Sequence, residues 1–112
     1  MEIMTKEMKR VLLVQVVGRL DHITGREFYT KVEQMMNEDE NYRVVVDLTH
    51  CPYMSSVGLH ALLALRKVAK RYNRGDVRIA NPQPYVKDTL ELVGFLRIFE
   101  VFDDVVEAVG SF

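Results

Sequence analysis

What this chain of 112 residues has little of narrows its chemistry before any pattern is read. Its one cysteine, Cys51, can neither close an internal disulfide nor supply a zinc cage. The start MEIMTKEMKRVLLVQVV, interrupted by Glu2, Lys6, Glu7, Lys9 and Arg10, does not read as a signal peptide, so a reducing cytoplasm is the expected compartment. Hydrophobic residues make up 48% of the chain. Even so, no apolar run approaches the roughly 20 residues of a membrane span. Nor is there a surplus of charge. With 15 basic and 16 acidic side chains the formal charge is -1, which gives no overall pull toward nucleic acid or an anionic membrane.

The motifs of common catalytic machinery are missing too. Neither GxxxxGK[ST] nor GxGxxG occurs, and Ser56, in YMSSVG, lacks the flanking glycines of a nucleophile elbow. His22, His50 and His60 show no paired spacing of the HExxH kind. His50 adjoins Cys51, but neighbours on a turn point apart, so no thiolate pair is expected there. These absences predict a protein that is not an enzyme and holds no cofactor or metal.

What is present is a regular alternation of short elements, with no repeats, linkers or low-complexity segments. Ile3 to Val17 reads as two strands reversing near Lys9 and Arg10, without the Asn-Gly or Asp-Gly that would set the register. Phe28, Val32, Met35 and Met36 lie at helical spacing, and Thr24 with Glu27 fits a capping box, which predicts a helix over 24–37. YRVVVDL, residues 42–48, has the β-branched run of a strand covered on both faces. A helix is predicted over 57–71, apolar almost all round at first and basic later, with its first half the more deeply buried.

Strand 76–80 follows, then a helix opened by Pro84 with Val86, Leu90 and Val93 on one face and Gly94 at its end. A strand over 97–102 and a short helix capped by Asp103 or Asp104 and running through Val109 complete the chain. The order ββαβαβαβα predicts one α/β domain over 1–112, with a mixed, mainly parallel sheet of about five strands and about four helices. Arg66, Lys67, Lys70, Arg71, Arg74 and Arg78 crowd a stretch with only Asp76 against them, either a solvated face or a surface that steers a partner.

The pair Ser55-Ser56 falls at the start of the second helix, where free backbone N–H groups and the positive dipole end tolerate an anion. Two readings stay open: one serine caps the helix, or one accepts a phosphate that adds about two negative charges.

Gly18-Arg19-Leu20-Asp21, Val45-Val46-Asp47-Leu48-Thr49, Tyr53-Met54-Ser55-Ser56-Val57-Gly58-Leu59 and Leu92-Val93-Gly94-Phe95 with Ile98-Phe99 occur in an order and spacing that resemble a STAS domain of the anti-sigma factor antagonist type. The resemblance covers about Val11 to Val109. It implies a binding protein that, when unphosphorylated, captures an anti-sigma factor and frees a sigma factor. In that family the anti-sigma factor is commonly a serine kinase of the histidine-kinase-like ATPase type, which inactivates the antagonist, and a serine phosphatase reverses the step.

In the family motif Asp-Ser-[Ser/Thr]-Gly-Leu the phosphorylated serine lies two residues before the glycine. Matched to Gly58, it is Ser56, with Ser55 the second choice. The chain departs from the motif by Ser55 at the acid position and Val57 at the hydroxyl position. The implied partner surface comprises Asp21, Thr49, Tyr53, Met54, Ser55, Val57, Gly58 and Leu59. Asp21 reads either as a turn cap or as part of the site. A monomer or weak dimer with no direct nucleic-acid contact is expected. The alternatives are an unphosphorylated STAS subunit of a lipid-transport, transporter or sensory complex, and a nucleotide-binding module.

Overall fold

Lys9 and Arg10 both hold the left-handed backbone region, at φ 50° and 67°, and make the two-residue reversal that the sequence left without a turn signature. They join β1 (Glu2–Met8) to β2 (Val11–Val17), paired antiparallel from Met8↔Val11 to Glu2↔Val17. The computed structural model describes residues 1–112. The remaining elements are α1 (Thr24–Glu38), β3 (Arg43–His50), α2 (Ser56–Ala69), β4 (Asp76–Ala80), α3 (Pro84–Leu92), β5 (Val101–Phe102) and α4 (Val105–Gly110). Strands β2 to β5 run parallel, and their order across the sheet is β1-β2-β3-β4-β5. The α/β class, the mixed five-stranded sheet and the element order are those the sequence predicted.

Stepping one strand at a time in one direction puts successive crossover helices on one side of the sheet. Leu12, Val14 and Val16 of β2 and Val44, Val46 and Leu48 of β3 meet α1, α2 and α3 there, in a core that includes Phe28, Met36, Leu62, Leu65 and Leu90. The alternate residues Val11, Leu13 and Val45 face the other side, where Ala108 and Val109 of α4 cover them with Phe112. Both faces of β3 are therefore buried, as its unbroken β-branched run requires.

Local details depart from the sequence reading at several points. Thr24 does not form a capping box with Glu27. The start of α1 is held by Asp21 Oδ1, which accepts from the N–H groups of Ile23 and Thr24, both at 2.9 Å. Burial along α2 continues to Leu65, Val68 and Ala69, because Lys67 points outward and Arg66 reaches in to the buried Asp76. Strand β3 runs on to His50, whose carbonyl accepts from Gly18 N–H past a bulge in the pairing with β2.

Helix α3 stops at Leu92, so Val93 is turned outward and only Val86 and Leu90 are buried. The strand predicted over 97–102 shrinks to two residues, and Phe95–Arg97 form a 3-10 turn after Gly94 at φ 80°. The turn brings the rings of Phe95 and Phe99 to 5.4 Å, and both are buried. An extended strand would hold them about 13 Å apart. Asp104, not Asp103, caps α4. No helix is long and apolar enough to cross a membrane.

Candidate functional site

Segments 18–21 and 50–55 lie side by side at the carboxyl ends of β2 and β3. Gly18 N–H donates to His50 O at 3.0 Å, Leu20 N–H to Tyr53 O at 3.0 Å, and Ser55 N–H to Leu20 O at 2.8 Å. Leu20 and Met54 thus form an isolated parallel bridge that extends the sheet after its strands have ended. Tyr53 O also accepts from Cys51 Sγ at 3.3 Å. Cys51 is wholly buried, and burial pushes its thiol pKa up, the opposite of what a reactive thiolate needs. His50 is exposed and takes no part in a thiolate pair.

Below this ladder a polar cluster fixes where β3 releases the chain. Asp47, buried in the sheet, accepts from Thr49 N–H at 3.0 Å and from its hydroxyl. Asn81 Nδ2 donates to Thr49 Oγ1 at 3.0 Å, and Gln83 Nε2 to Thr49 O at 2.9 Å. Thr49, expected at the partner surface, is thus anchored between β3 and the segment after β4. Neither Asn81 nor Gln83 was singled out by sequence reasoning, since their side chains are local to nothing near them in the chain.

At the start of α2 the two serines have separate positions. Ser55 is the N-cap in extended geometry (φ -84°, ψ 174°), and its Oγ accepts from Gly58 N–H at 3.4 Å. Ser56 is the first helical residue and is exposed. The cap and the candidate acceptor are therefore different side chains, and the first-turn N–H groups flank Ser56.

Gly58 is where the helix approaches the 18–21 segment. A Cβ there would lie 2.9 Å from Met54 Cγ and 3.2 Å from Leu20 O. Gly25 makes the matching approach from α1: a Cβ on it would stand 3.0 Å from Gly58 N. Sequence reading did not flag Gly25, because its reason for being small is a contact 33 residues away along the chain.

Not all of the expected partner surface is outward. Met54 and Leu59 are buried in the main core and offer a docking partner no side-chain surface in this conformation. Asp21 has its carboxylate turned onto its own turn, where the backbone N–H of Thr24 and then that of Ile23 hold its pKa below the ordinary carboxylate value. Its backbone N–H is held in turn by Thr24 Oγ1 at 2.8 Å. Of the two readings of Asp21, the geometry is that of a cap.

What the site does present is Ser56 with Val57 half-buried beside it, and a ridge formed by Arg19, Tyr53 and Tyr85. The Arg19 guanidinium lies 4.6 Å from the Tyr53 ring centre, and Tyr53 stacks on Tyr85 at 6.2 Å. A groove between α1 and α2 adjoins Val57 and is lined by Gly25, Arg26, Tyr29, His60, Ala61 and Ala64 among others. No group of three or more His, Cys, Asp or Glu side chains is placed to hold a metal ion.

Comparison with known proteins gives a consistent picture. The model of the STAS domain matches residues 2–108. An anti-sigma F factor antagonist of Paenibacillus polymyxa is 26% identical over 98 residues, which is 88% of this chain and 83% of that protein. Among solved structures, the anti-sigma factor antagonist SpoIIAA in its unphosphorylated form superposes with a TM-score of 0.82 at 17% identity, covering 96% of this chain and 93% of that one. The phosphorylated form of the Bacillus cell fate determinant SpoIIAA gives 0.76 at 16% identity, covering 98% of each chain. A sulfate transporter family protein of Wolinella succinogenes gives 0.75 at 15% identity, covering 93% and 85%.

Proposed function

The chain belongs to the STAS domain family, and from that premise we propose that it is an anti-sigma factor antagonist, a cytoplasmic single-domain binding protein rather than an enzyme. In its unphosphorylated form it captures an anti-sigma factor that is also a serine kinase of the histidine-kinase-like ATPase type, so that a sigma factor is released. Phosphorylation of Ser56 ends the capture, and a serine phosphatase restores it. The observation that carries this reading is the separation of roles at the start of α2: Ser55 caps the helix, leaving Ser56 exposed at the junction of two hydrogen-bonded segments.

The effect of phosphate at that point follows from charge and hydration. A hydroxyl packed against a complementary surface is replaced by a group of about two negative charges, whose desolvation opposes the same docking. Within the protein the change is tolerated, since the first-turn N–H groups of α2 face that side. Ser55 in place of the family's acid removes one carboxylate that would repel the phosphate, and Val57 in place of its Ser/Thr removes one hydroxyl. Thr49, Tyr53, Ser55, Val57 and Gly58 position or border the docking surface, and Arg19 and Tyr85 extend it. The name of the Paenibacillus relative supports this reading over the transporter-subunit alternative, which rests on likeness of fold alone.

The test is incubation with ATP and each serine kinase of that ATPase class from the same genome, followed by phosphopeptide mapping. Phosphate is expected on Ser56, with Ser56→Ala unmodified but still able to bind the kinase and Ser56→Asp unable to. Absence of modification by any of them, together with equal binding by the two variants, would remove the switch.

A further inference from the structure

The basic stretch after the middle of α2 divides into two groups in space. Arg66 and Arg78 converge on the buried carboxylate of Asp76, at 3.4 and 3.2 Å, and Val77 N–H adds a bond at 2.9 Å. Arg78 is further committed to Glu100 at 2.8 Å and to Ser111 O and Oγ at 2.6 and 2.7 Å. The acid of this region is thereby matched by its own two arginines. Lys70 and Arg74, together with Arg43 at the start of β3, are paired with no carboxylate.

These three cations line one recess of about 320 Å³, whose other walls are Gly75, Ser111 and Phe112 along with Asp76 and Arg78. Arg43 also borders a neighbouring cleft that carries Glu7, Asp39 and Glu40 with Arg10, so the least compensated cations are Lys70 and Arg74.

We infer that this recess is a binding site for a compact oligophosphate, distinct from the Ser56 surface and independent of the reading given to it. The recess is concave and built from three separate parts of the chain, the start of β3, the segment 70–78 from the end of α2 into β4, and residues 111–112. That suits a small multiply charged anion better than an extended polypeptide. Guanidinium and ammonium groups lining one recess can meet successive phosphate groups, and Arg donates to phosphate in bidentate fashion. The Asp76 carboxylate does not oppose this, being enclosed by Arg66 and Arg78. The site lies at the C-terminal end of the helix whose N-terminal end carries Ser56, about 20 Å away along the axis.

Isothermal titration with inorganic tripolyphosphate on the full chain at low salt tests the assignment. Saturable one-to-one binding is expected, with amide shifts at residues 43, 70 and 74 and little change at 55–59. A Lys70→Gln/Arg74→Asn double variant should weaken it at least about tenfold. Both positions are exposed, and Asn accepts the left-handed backbone (φ 61°) that Arg74 holds, so the fold is retained and circular dichroism checks it. Ser56→Asp should bind as the parent does. No saturable binding, equal displacement by sulfate at matched ionic strength, tighter binding of a polyglutamate peptide, or undiminished affinity in the double variant would each overturn the proposal.

Discussion

Two residues at the start of the helices set the geometry of the whole site. Asp21 holds the first turn of α1 through a carboxylate whose folded-state pKa is depressed by the N–H groups it accepts from. A depressed folded pKa means stability that is complete above the unfolded value and is lost as pH falls through the folded one. Asp21→Ala should therefore lower the urea midpoint at pH 7, and the gap to the parent should close in acid. A gap that persists unchanged at the lowest pH at which the parent folds would contradict the assignment. Gly58→Ala should cost about 1–3 kcal/mol, because backbone at Leu20 and a packed Met54 stand where the methyl group would go. Denaturant unfolding would register that loss, and the displaced 53–55 segment should lower partner affinity as well.

At the scale of elements, what the sequence carried well was periodicity. The i, i+4, i+8 series Phe28, Val32 and Met36 and the run Val44–Val46 could be placed without any tertiary knowledge, and the structure buries each of them. What it carried poorly was structure made by remote partners. The Asn81 and Gln83 bonds to Thr49, the Gly25–Gly58 approach and the folding back of Phe99 onto Phe95 each depend on residues that the chain brings together only once folded. The serine pair shows the same limit on a small scale. Its position at a helix start was legible, but which hydroxyl caps depends on where the Leu20–Ser55 bond stops the strand-like segment.

The β1–β2 reversal is a further instance, since Lys9 and Arg10 adopt a left-handed turn that side chains resist. Replacing them by Lys9→Asn and Arg10→Gly should stabilise the fold by about 1 kcal/mol, read as a higher urea midpoint with an unchanged slope.

For the molecule as a whole, Cys51 is an internal reporter of integrity. It lies in the main core with no exposed surface, and burial raises its pKa, so thiolate is scarce at neutral pH. The native protein should react with a thiol reagent such as DTNB only as fast as it opens, whereas in urea the reaction should be immediate. Rapid labelling of the folded protein would show that the 51–55 segment detaches on its own.

The strand order adds something about the history of each molecule. Because the sheet is β1-β2-β3-β4-β5 in space as in sequence, no strand has to be inserted between two that are already placed. A chain leaving the ribosome can close its hairpin first and then lay down each new strand on the open edge left by the last. At every stage β1 stands at one edge of the growing sheet and the newest strand at the other. Once β5 is laid down, the edge opposite β1 is only two residues long, too short to act as a template for a neighbouring chain.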